Sequence, residues 1–380
     1  MPSFRDSYAK TFRCLALVAL GACGQSADEP AASDTAEETA RAESAGPVLC
    51  NDAGTDAGPG TDAQVPPSSA ATIVPDPSWT CELPQGIPSP EGGELIFEGT
   101  LETSGVLNVG KSQYGTRTVY PLTRGSFTGP RVSGTVVNGG IDNALSLPSG
   151  AVELESRALL RTRDNVNIYV RSCGVADGSA VRIVPFFEAP ANSAYAWLNQ
   201  GGFVGTRTVE DGKIKLRIVK PVARPGAPTV RVPADATLPQ QPWNCPGAQG
   251  PRGSTVALRA NVGIGGSFAV GATGKGSRNI IPITGGTVTG TNVQGTVLPG
   301  GADYQLSQPG QALREMQIEA RYVFKTSDGQ LINVRNCGIA GGTGVLFETA
   351  PDGKYGFLTR GNYQGTIGIG LGSVNITVYE

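Results

Sequence analysis

The clearest pattern in the chain is an alternation of apolar and polar residues in short stretches of its second half. In Glu315–Thr326 every second residue from Met316 to Phe324 is apolar, and most residues between them are polar. Successive side chains of a strand point to opposite faces, so this alternation predicts a half-buried β-strand. Leu331–Asn336 and Val374–Val378 alternate in the same way. No stretch shows a helical periodicity of useful length.

The first half of the chain repeats this pattern. Gly115–Asp142 returns as Gly276–Asp303, with its arginine, its proline and most of its glycines in the same register. Such self-similarity identifies a tandem duplication and sets the number of folded domains at two. Many short strands separated by glycine turns are typical of antiparallel barrels or sandwiches. We therefore predict an all-β protein with two tandem antiparallel β-barrels.

Composition divides the remainder of the chain. Residues 24–88 are rich in Ala, acidic residues, Ser, Thr, Pro and Gly, and predict a disordered tether because they cannot bury enough apolar surface to fold. The repeats then occupy 89–220 and 243–380. Between them, the proline-rich segment 221–242 predicts an extended, fairly stiff linker.

The absence of histidine narrows the possible chemistry. The 380 residues contain no histidine, which excludes Ser-His-Asp and Cys-His catalysis and histidine metal sites. The glycine pairs Gly285-Gly286 and Gly300-Gly301 open no helix and lack phosphate-loop spacing, so they indicate tight turns. We expect no cofactor and no metal. A net charge of −2 does not indicate nucleic acid as a partner.

Residues 1–23 have the features of an export signal. Basic residues precede the apolar run Cys14–Leu20, which is too short to span a bilayer. The ending Leu-Gly-Ala-Cys resembles a bacterial lipobox, which implies lipidation of Cys23. An ordinary signal with a chance cysteine is the alternative. Because Gly24 follows the cysteine, we expect a lipoprotein of the cell envelope, anchored in the outer membrane of a Gram-negative cell, with the membrane as a partner.

Four cysteines are duplicated together with the repeats. A tryptophan stands two residues before both Cys81 and Cys245, and Cys173 and Cys337 share the pattern Arg-x-Cys-Gly. This indicates an oxidising compartment and one disulfide per domain, Cys81–Cys173 and Cys245–Cys337. Bridges between the domains remain open because connectivity cannot be deduced from spacing. Cys50 is left over in the tether.

A series of motifs follows in a fixed order through the second repeat. It comprises Arg278, Pro282–Thr287, Gly295–Tyr304, Ala320–Tyr322, Asp328-Gly329, Val334–Asn336 and Phe347-Glu348. The series resembles the bacterial and fungal domain-of-unknown-function family 3237 over nearly all of residues 90–380. The resemblance implies a compact, calycin-like antiparallel barrel for each repeat and little about activity. The first repeat departs from it at Asn143, in place of an aromatic residue, and at Ser172, in place of asparagine.

Asp303 and Arg321 are the candidate catalytic residues, since both residue types recur in the two repeats. A carboxylate and a guanidinium at a barrel mouth could orient a polar ligand or act as acid and clamp. A structural ion pair or a turn cap is the alternative. By strand parity, Arg321 lies on the face opposite Tyr322 and points away from the apolar core.

The ligand-binding candidates form a second group, predicted for the second barrel. Tyr322 and Asn336 lie on the apolar face by parity and would place polar tips in an apolar lining, as a small-molecule pocket needs. Satisfied core groups are the alternative. The other candidates are Tyr304, Arg335 and Glu348. Because the first repeat lacks the counterparts of Tyr304 and Asn336, we expect any ligand in the second barrel.

Two functions follow from these patterns. The first is an exported, membrane-anchored lipoprotein whose barrels bind a small ligand or partner. The second is a lyase or cyclase that uses Asp, Arg and Tyr for acid–base chemistry in the second barrel. The missing histidine and the lack of an activated nucleophile favour the first. The sequence leaves ligand identity and oligomeric state open.

Overall fold

The structure is a computed structural model that describes residues 87–148, 150, 152–177, 180–223, 248 and 250–380. The export signal with Cys23 and nearly all of the tether and of the linker lie outside these residues. No helix in the described ranges is long and apolar enough to cross a membrane.

The first repeat folds into an antiparallel barrel, barrel 1. β1 pairs with both β9 and β3, so the sheet closes into a ring of eight strands, and β2 is an additional strand paired with β3. The strands are β1 (Glu94–Thr103), β2 (Leu107–Lys111), β3 (Thr116–Thr128), β4 (Ser133–Ser146), β5 (Val152–Thr162), β6 (Asn167–Asp177), β7 (Ala180–Glu188), β8 (Val204–Glu210) and β9 (Lys213–Lys220).

The second repeat forms barrel 2 in the same order. β10 pairs with β19 and β12, and the counterpart of β4 is interrupted, giving β13 and β14. The strands are β10 (Val256–Ile264), β11 (Phe268–Thr273), β12 (Gly276–Thr289), β13 (Gln294–Val297), β14 (Ala302–Ser307), β15 (Gln317–Thr326), β16 (Leu331–Ile339), β17 (Gly342–Glu348), β18 (Tyr363–Gly370) and β19 (Ser373–Tyr379).

The predicted all-β fold of two tandem barrels is therefore confirmed. Three short 3₁₀ segments, Ala196–Gln200, Leu313–Glu315 and Gly356–Thr359, are the helical turns of the described ranges. The strand alternation predicted the inward faces: Tyr322 and Phe324 of β15 lie in the core of barrel 2.

A third apolar cluster lies between the barrels. It combines outward-facing residues of barrel 1, such as Ile141 and Tyr169, with Ile280, Ala302 and Tyr304 of barrel 2. Strands that line this contact are consequently buried on both faces. This matters for the candidate site, because an alternating pattern shows which residues share a face and leaves open which buried face is the barrel interior.

The duplicated cysteines that the structure describes occupy matching strands. Cys173 lies in β6 and Cys337 in β16, and both are buried. Their predicted partners, Cys81 and Cys245, lie outside the described residues. The proposed pairing stays a prediction.

Candidate functional site

Glu348 lies in the contact between the barrels. Its Oε2 is 2.9 Å from Nε of Arg117 in barrel 1, and the matching Glu188 of barrel 1 is 2.7 Å from Nη2 of Arg278 in barrel 2. All four side chains are buried. The two pairs are reciprocal: each repeat supplies the same arginine and the same glutamate. The structure thus assigns Glu348 to the joining of the barrels.

Arg321 and Arg335 belong to a second reciprocal arrangement at the same contact. Nη2 of Arg321 is 2.8 Å from Oε2 of Glu155, and Nη2 of Arg157 is 2.9 Å from Oε1 of Glu319. The same Glu319 oxygen accepts a hydrogen bond of 3.0 Å from Nε of Arg335. Burial favours the neutral acid, but the surrounding arginines outweigh it and hold the pKa of Glu319 well below its usual value. Both carboxylates of this network, Glu155 and Glu319, are thus ion-paired with arginines.

Tyr304 also faces barrel 1. Its hydroxyl donates a 2.9 Å hydrogen bond to the carbonyl oxygen of Gly139, and its ring lies 5.6 Å from the ring of Tyr169. The guanidinium of Arg157 lies 5.1 Å from the Tyr304 ring centroid. Tyr304 therefore contributes to the barrel contact, on the sheet face opposite the interior of barrel 2.

Asp303, Tyr322 and Asn336 face that interior. Asp303 pairs with Ala320 of β15, and Ala320 pairs with Asn336 of β16, so the three form a row across neighbouring strands. Ala320 and Tyr322 belong to the inner core. Asn336 is 1% exposed, and its Oδ1 has no hydrogen-bond partner within the described part of the chain. The structure brings Asp303, Tyr322 and Asn336 together and places Arg321 on the other face.

Asp303 keeps part of its surface exposed and is held by three hydrogen-bonded neighbours. Its Oδ2 accepts a 2.9 Å hydrogen bond from Nε2 of Gln305, whose Oε1 accepts one of 3.0 Å from Nδ2 of Asn279. Its Oδ1 accepts a 3.1 Å bond from the backbone N–H of Glu319. Asn279, Asp303 and Gln305 are all partly exposed. We call this partly exposed group of three residues the mouth of barrel 2.

The surrounding protein makes Asp303 a weaker acid than an ordinary aspartate. Although the side chain keeps some exposed surface, desolvation raises its pKa to about 6, and the bonds from Gln305 and Glu319 reduce this effect without reversing it. The carboxyl group therefore changes charge near neutral pH, as a general acid or base must, and as an ordinary surface aspartate does not.

In barrel 1 the equivalent carboxylate, Asp142, forms an ion pair. Asp142 is 1% exposed, and its Oδ1 is 2.9 Å from Nη2 of Arg207. Asp142 is on β4 and Arg207 on β8, which are four strands apart in the ring of eight and therefore on opposite walls. This ion pair crosses the interior. Arg207 also lies 5.2 Å from the ring centroid of Tyr120.

Isoleucine replaces this arginine in barrel 2. Gly205-Thr206-Arg207 corresponds to Gly365-Thr366-Ile367. The register agrees, since Arg207 pairs with Leu216 and Ile367 with the corresponding Ile376. Ile367 cannot form an ion pair, and the bonds that Asp303 accepts from Gln305 and Glu319 come from β14 and β15. Ile367 was not among the predicted site residues, although an alignment of the two repeats displays the difference.

A concave region on the outside of barrel 1 is a weaker candidate. It has a volume of about 450 Å³, and its lining includes four threonines together with Glu98, Lys215 and Arg217. Arg217 and Glu98 already pair with each other at 2.6 Å, and both are well exposed. Solvated, mutually paired groups provide little for a ligand to gain.

The raised pKa of Asp303 predicts how stability depends on pH. A folded-state pKa of about 6 against 3.8 in the unfolded chain means that the folded protein holds this proton more tightly. The contribution of Asp303 to the free energy of unfolding should therefore be greatest below pH 4 and fall as the pH rises toward 6. Because asparagine stays uncharged, urea denaturation should find Asp303→Asn as stable as wild type below pH 4 and increasingly more stable than wild type as the pH rises toward 6.

Asp328 provides the opposite control. It accepts bonds from Thr326, Lys354 and Tyr355, which lower its pKa. Asp328→Asn should remove a stabilisation that is present at neutral pH and lost on acidification. If the effects of Asp303→Asn and Asp328→Asn on the free energy of unfolding changed with pH in the same way, the environment described for Asp303 would be wrong.

The fold defines the class of protein: an all-β protein of two tandem antiparallel β-barrels. The family model described as "Protein of unknown function (DUF3237)" matches residues 93–220 and 253–349, one segment in each barrel. The chain belongs to this family, as its motif series predicted, and carries it in two copies.

Individual relatives match shorter segments. A UPF0311 protein of Rhodopseudomonas palustris (strain TIE-1) is 41% identical over 91 residues, which are 24% of this chain and 58% of that protein. A UPF0311 protein of Clostridium acetobutylicum is 36% identical over 80 residues, 21% and 49% of the two chains. The chain thus spans about half the length of these relatives.

Solved structures with similar segments are known from bacteria and a fungus. A Clostridium acetobutylicum protein of unknown function aligns at 25% identity with a TM-score of 0.31, over 33% of this chain and 95% of that one. A β-barrel-like protein of Acinetobacter baumannii aligns at 23% with a TM-score of 0.30, over 35% and 97%. A structure described as an enzyme from Penicillium herquei aligns at 22% with a TM-score of 0.28, over 35% and 98%.

Proposed function

We propose that this protein is an exported, envelope-anchored binding protein whose second barrel holds a small ligand at Asp303 and Asn336. The observation that carries the proposal is the difference between two equivalent carboxylates. Asp142 is buried and ion-paired with Arg207 across the interior of barrel 1, whereas Asp303 remains partly exposed, with Ile367 at the position of that arginine. In this proposal barrel 1 acts as a structural partner.

The chemistry of the interior of barrel 2 supports this function. Small-molecule sites are mostly apolar and contain a few polar groups that orient the ligand. Here the polar groups include Asp303 and the unpartnered Oδ1 of Asn336. The row between them contains only the short side chain of Ala320. Ile318 and the aromatic ring of Tyr322 are part of the surrounding apolar wall.

Ile367→Arg tests the proposal by restoring the ion pair that closes barrel 1. Purified protein should be screened by thermal shift against a panel of small amines, polyols, sugars and carboxylates. We expect at least one compound to raise the Tm of wild type, and Ile367→Arg to abolish this shift. Ile369→Arg is the matched control, because Ile369 is 79% exposed on the same strand and should leave binding intact. A panel without binders, or binding that survives Ile367→Arg, would refute the proposal.

One observation supports the alternative function, that of an acid–base enzyme. A carboxyl group with a pKa of about 6 suits proton transfer near neutral pH. However, Arg321, the clamp in that hypothesis, pairs with Glu155 in the barrel contact, and Tyr304 lies on the same outer face. Asp303 is left without these two partners, so we favour binding.

Export and anchoring are proposed from the signal sequence alone. If Cys23 is lipidated, Cys23→Ala should move the protein from the membrane fraction to the soluble fraction of the cell envelope, because acyl chains provide the anchor. Cys14→Ala, within the apolar run of the signal, is the control and should stay in the membrane fraction. Unchanged fractionation of Cys23→Ala would disprove lipid anchoring at this residue.

A further inference from the structure

We infer that the ligand of barrel 2 is a small organic cation that presents a guanidinium or amine group to Asp303. This inference rests on the proposed binding function and specifies its ligand. The reason lies in barrel 1, where the same position of the same fold already binds a guanidinium, that of Arg207.

The two interiors share one backbone frame. Asp142 pairs with Ser156 of β5 as Asp303 pairs with Ala320 of β15. On the opposite wall, Arg207 and Ile367 occupy equivalent places on β8 and β18. Barrel 2 thus retains the carboxylate and lacks the cation that accompanies it in barrel 1. A ligand cation entering through the mouth would take the place of the arginine head group.

The acceptor atoms at this position favour a ligand that carries donors. The unpartnered Oδ1 of Asn336 is a hydrogen-bond acceptor, as is the ionised carboxylate of Asp303. Two acceptors disfavour an anionic ligand, whose oxygens are also acceptors. A guanidinium carries five N–H donors and an ammonium three, and neither has an acceptor. Charge-assisted bonds to a carboxylate are also stronger than those from a neutral hydroxyl.

Apolar substitutions around the mouth favour an alkyl stem on the ligand. Tyr120, over which Arg207 lies in barrel 1, corresponds to Ile281 in barrel 2, and Ile367 forms the opposite wall. Asp303 and Asn336 are two strands apart, or about 10 Å between their backbones. A short diamine or guanidinoalkyl amine has donors at both ends and an apolar chain between them. The geometry therefore favours this shape of cation.

A series of four-carbon probes tests the inference by isothermal titration calorimetry at pH 7.5. Agmatine and putrescine are the cations, 1,4-butanediol is the neutral probe and succinate is the anion. We expect a cation to bind and the other two to show no heat of binding. Asp303→Asn should weaken cation binding at least about tenfold, since a charged hydrogen bond is lost. Binding should also weaken at pH 5, where Asp303 is protonated.

The outcomes separate this inference from the function on which it rests. If neither cation binds, or if Asp303→Asn binds a cation as tightly as wild type, the inference is wrong. If instead succinate, butanediol or another non-cationic compound binds and Ile367→Arg abolishes it, barrel 2 is a binding site and only the ligand class is wrong.

Barrel 1 provides an independent test through Arg207→Ala. This variant leaves Asp142 buried without its cation and should have a lower Tm. Millimolar methylguanidinium should then raise its Tm more than that of wild type, by occupying the position of the lost guanidinium. Equal shifts in both proteins would show that this carboxylate position does not select a guanidinium and would overturn the argument from barrel 1.

Discussion

Glu319→Gln is expected to lower the free energy of unfolding by about 3–5 kcal/mol, the range for removing one partner of a buried ion pair. Oε1 of Glu319 accepts from Arg157 of the other barrel and from Arg321 and Arg335 of its own, at 2.7 to 3.0 Å. Glutamine removes the charge that compensates these buried guanidiniums. Chemical denaturation at pH 7 measures the loss.

The surface pair Lys354–Asp328 provides the control for this prediction. Both side chains are well exposed, and such pairs contribute about 0–1 kcal/mol, so Lys354→Ala should change stability little. The pKa of Glu319 is lowered in the folded protein, so its stabilisation is complete above the unfolded value of 4.5 and is lost as the pH falls. The destabilisation caused by Glu319→Gln should therefore become smaller as the pH falls. A loss below about 1 kcal/mol at pH 7 would mean that the network does not hold the barrels together.

Gly301→Ala should destabilise barrel 2 by at least about 3 kcal/mol. Gly301 has a φ of +72°, which side chains rarely adopt, and an added Cβ would overlap the carbonyl oxygen of Arg321. That oxygen belongs to a central strand of the contact, so it cannot move without disturbing Arg321. Thermal and chemical denaturation of the variant would show the loss.

Gly266→Ala is the matched control. A Cβ added at Gly266 would have no neighbouring atom within 4 Å, and the residue has no left-handed φ, so alanine should be within about 0.5 kcal/mol of wild type. Similar stabilities for the two alanine variants would show that the turn before β14 tolerates a side chain and is not a constraint on the contact.

The contact between the barrels resembles that of a two-fold symmetric dimer whose subunits have been joined in one chain. Arg117 and Glu348 are repeated by Arg278 and Glu188 with the roles of the two barrels exchanged. Gly139 faces Pro282, and the corresponding Gly300 faces Pro121. Self-complementary contacts of this kind are the rule in homodimers. The recurring arginine and glutamate of the two repeats, and the recurring glycine and proline, therefore serve pairing of the barrels.

The sequence by itself determined the architecture. Period-two alternation predicted the strands, and the duplication predicted two equal barrels, because side-chain direction along a strand is fixed by backbone geometry alone. The same parity correctly placed Tyr322 inward and Arg321 outward. The family resemblance was carried by motifs spread over both repeats, which the family match confirms.

Only the tertiary structure decided which residues could serve a ligand. Tyr304 shares its face with apolar neighbours, but that face packs against barrel 1, and sequence patterns do not distinguish one buried face from another. The ion pair between Asp142 and Arg207 joins residues that are far apart in the chain, on walls brought together by barrel closure. The replacement of Arg207 by Ile367 bears on Asp303 only through this closure, since the two positions lie on opposite walls.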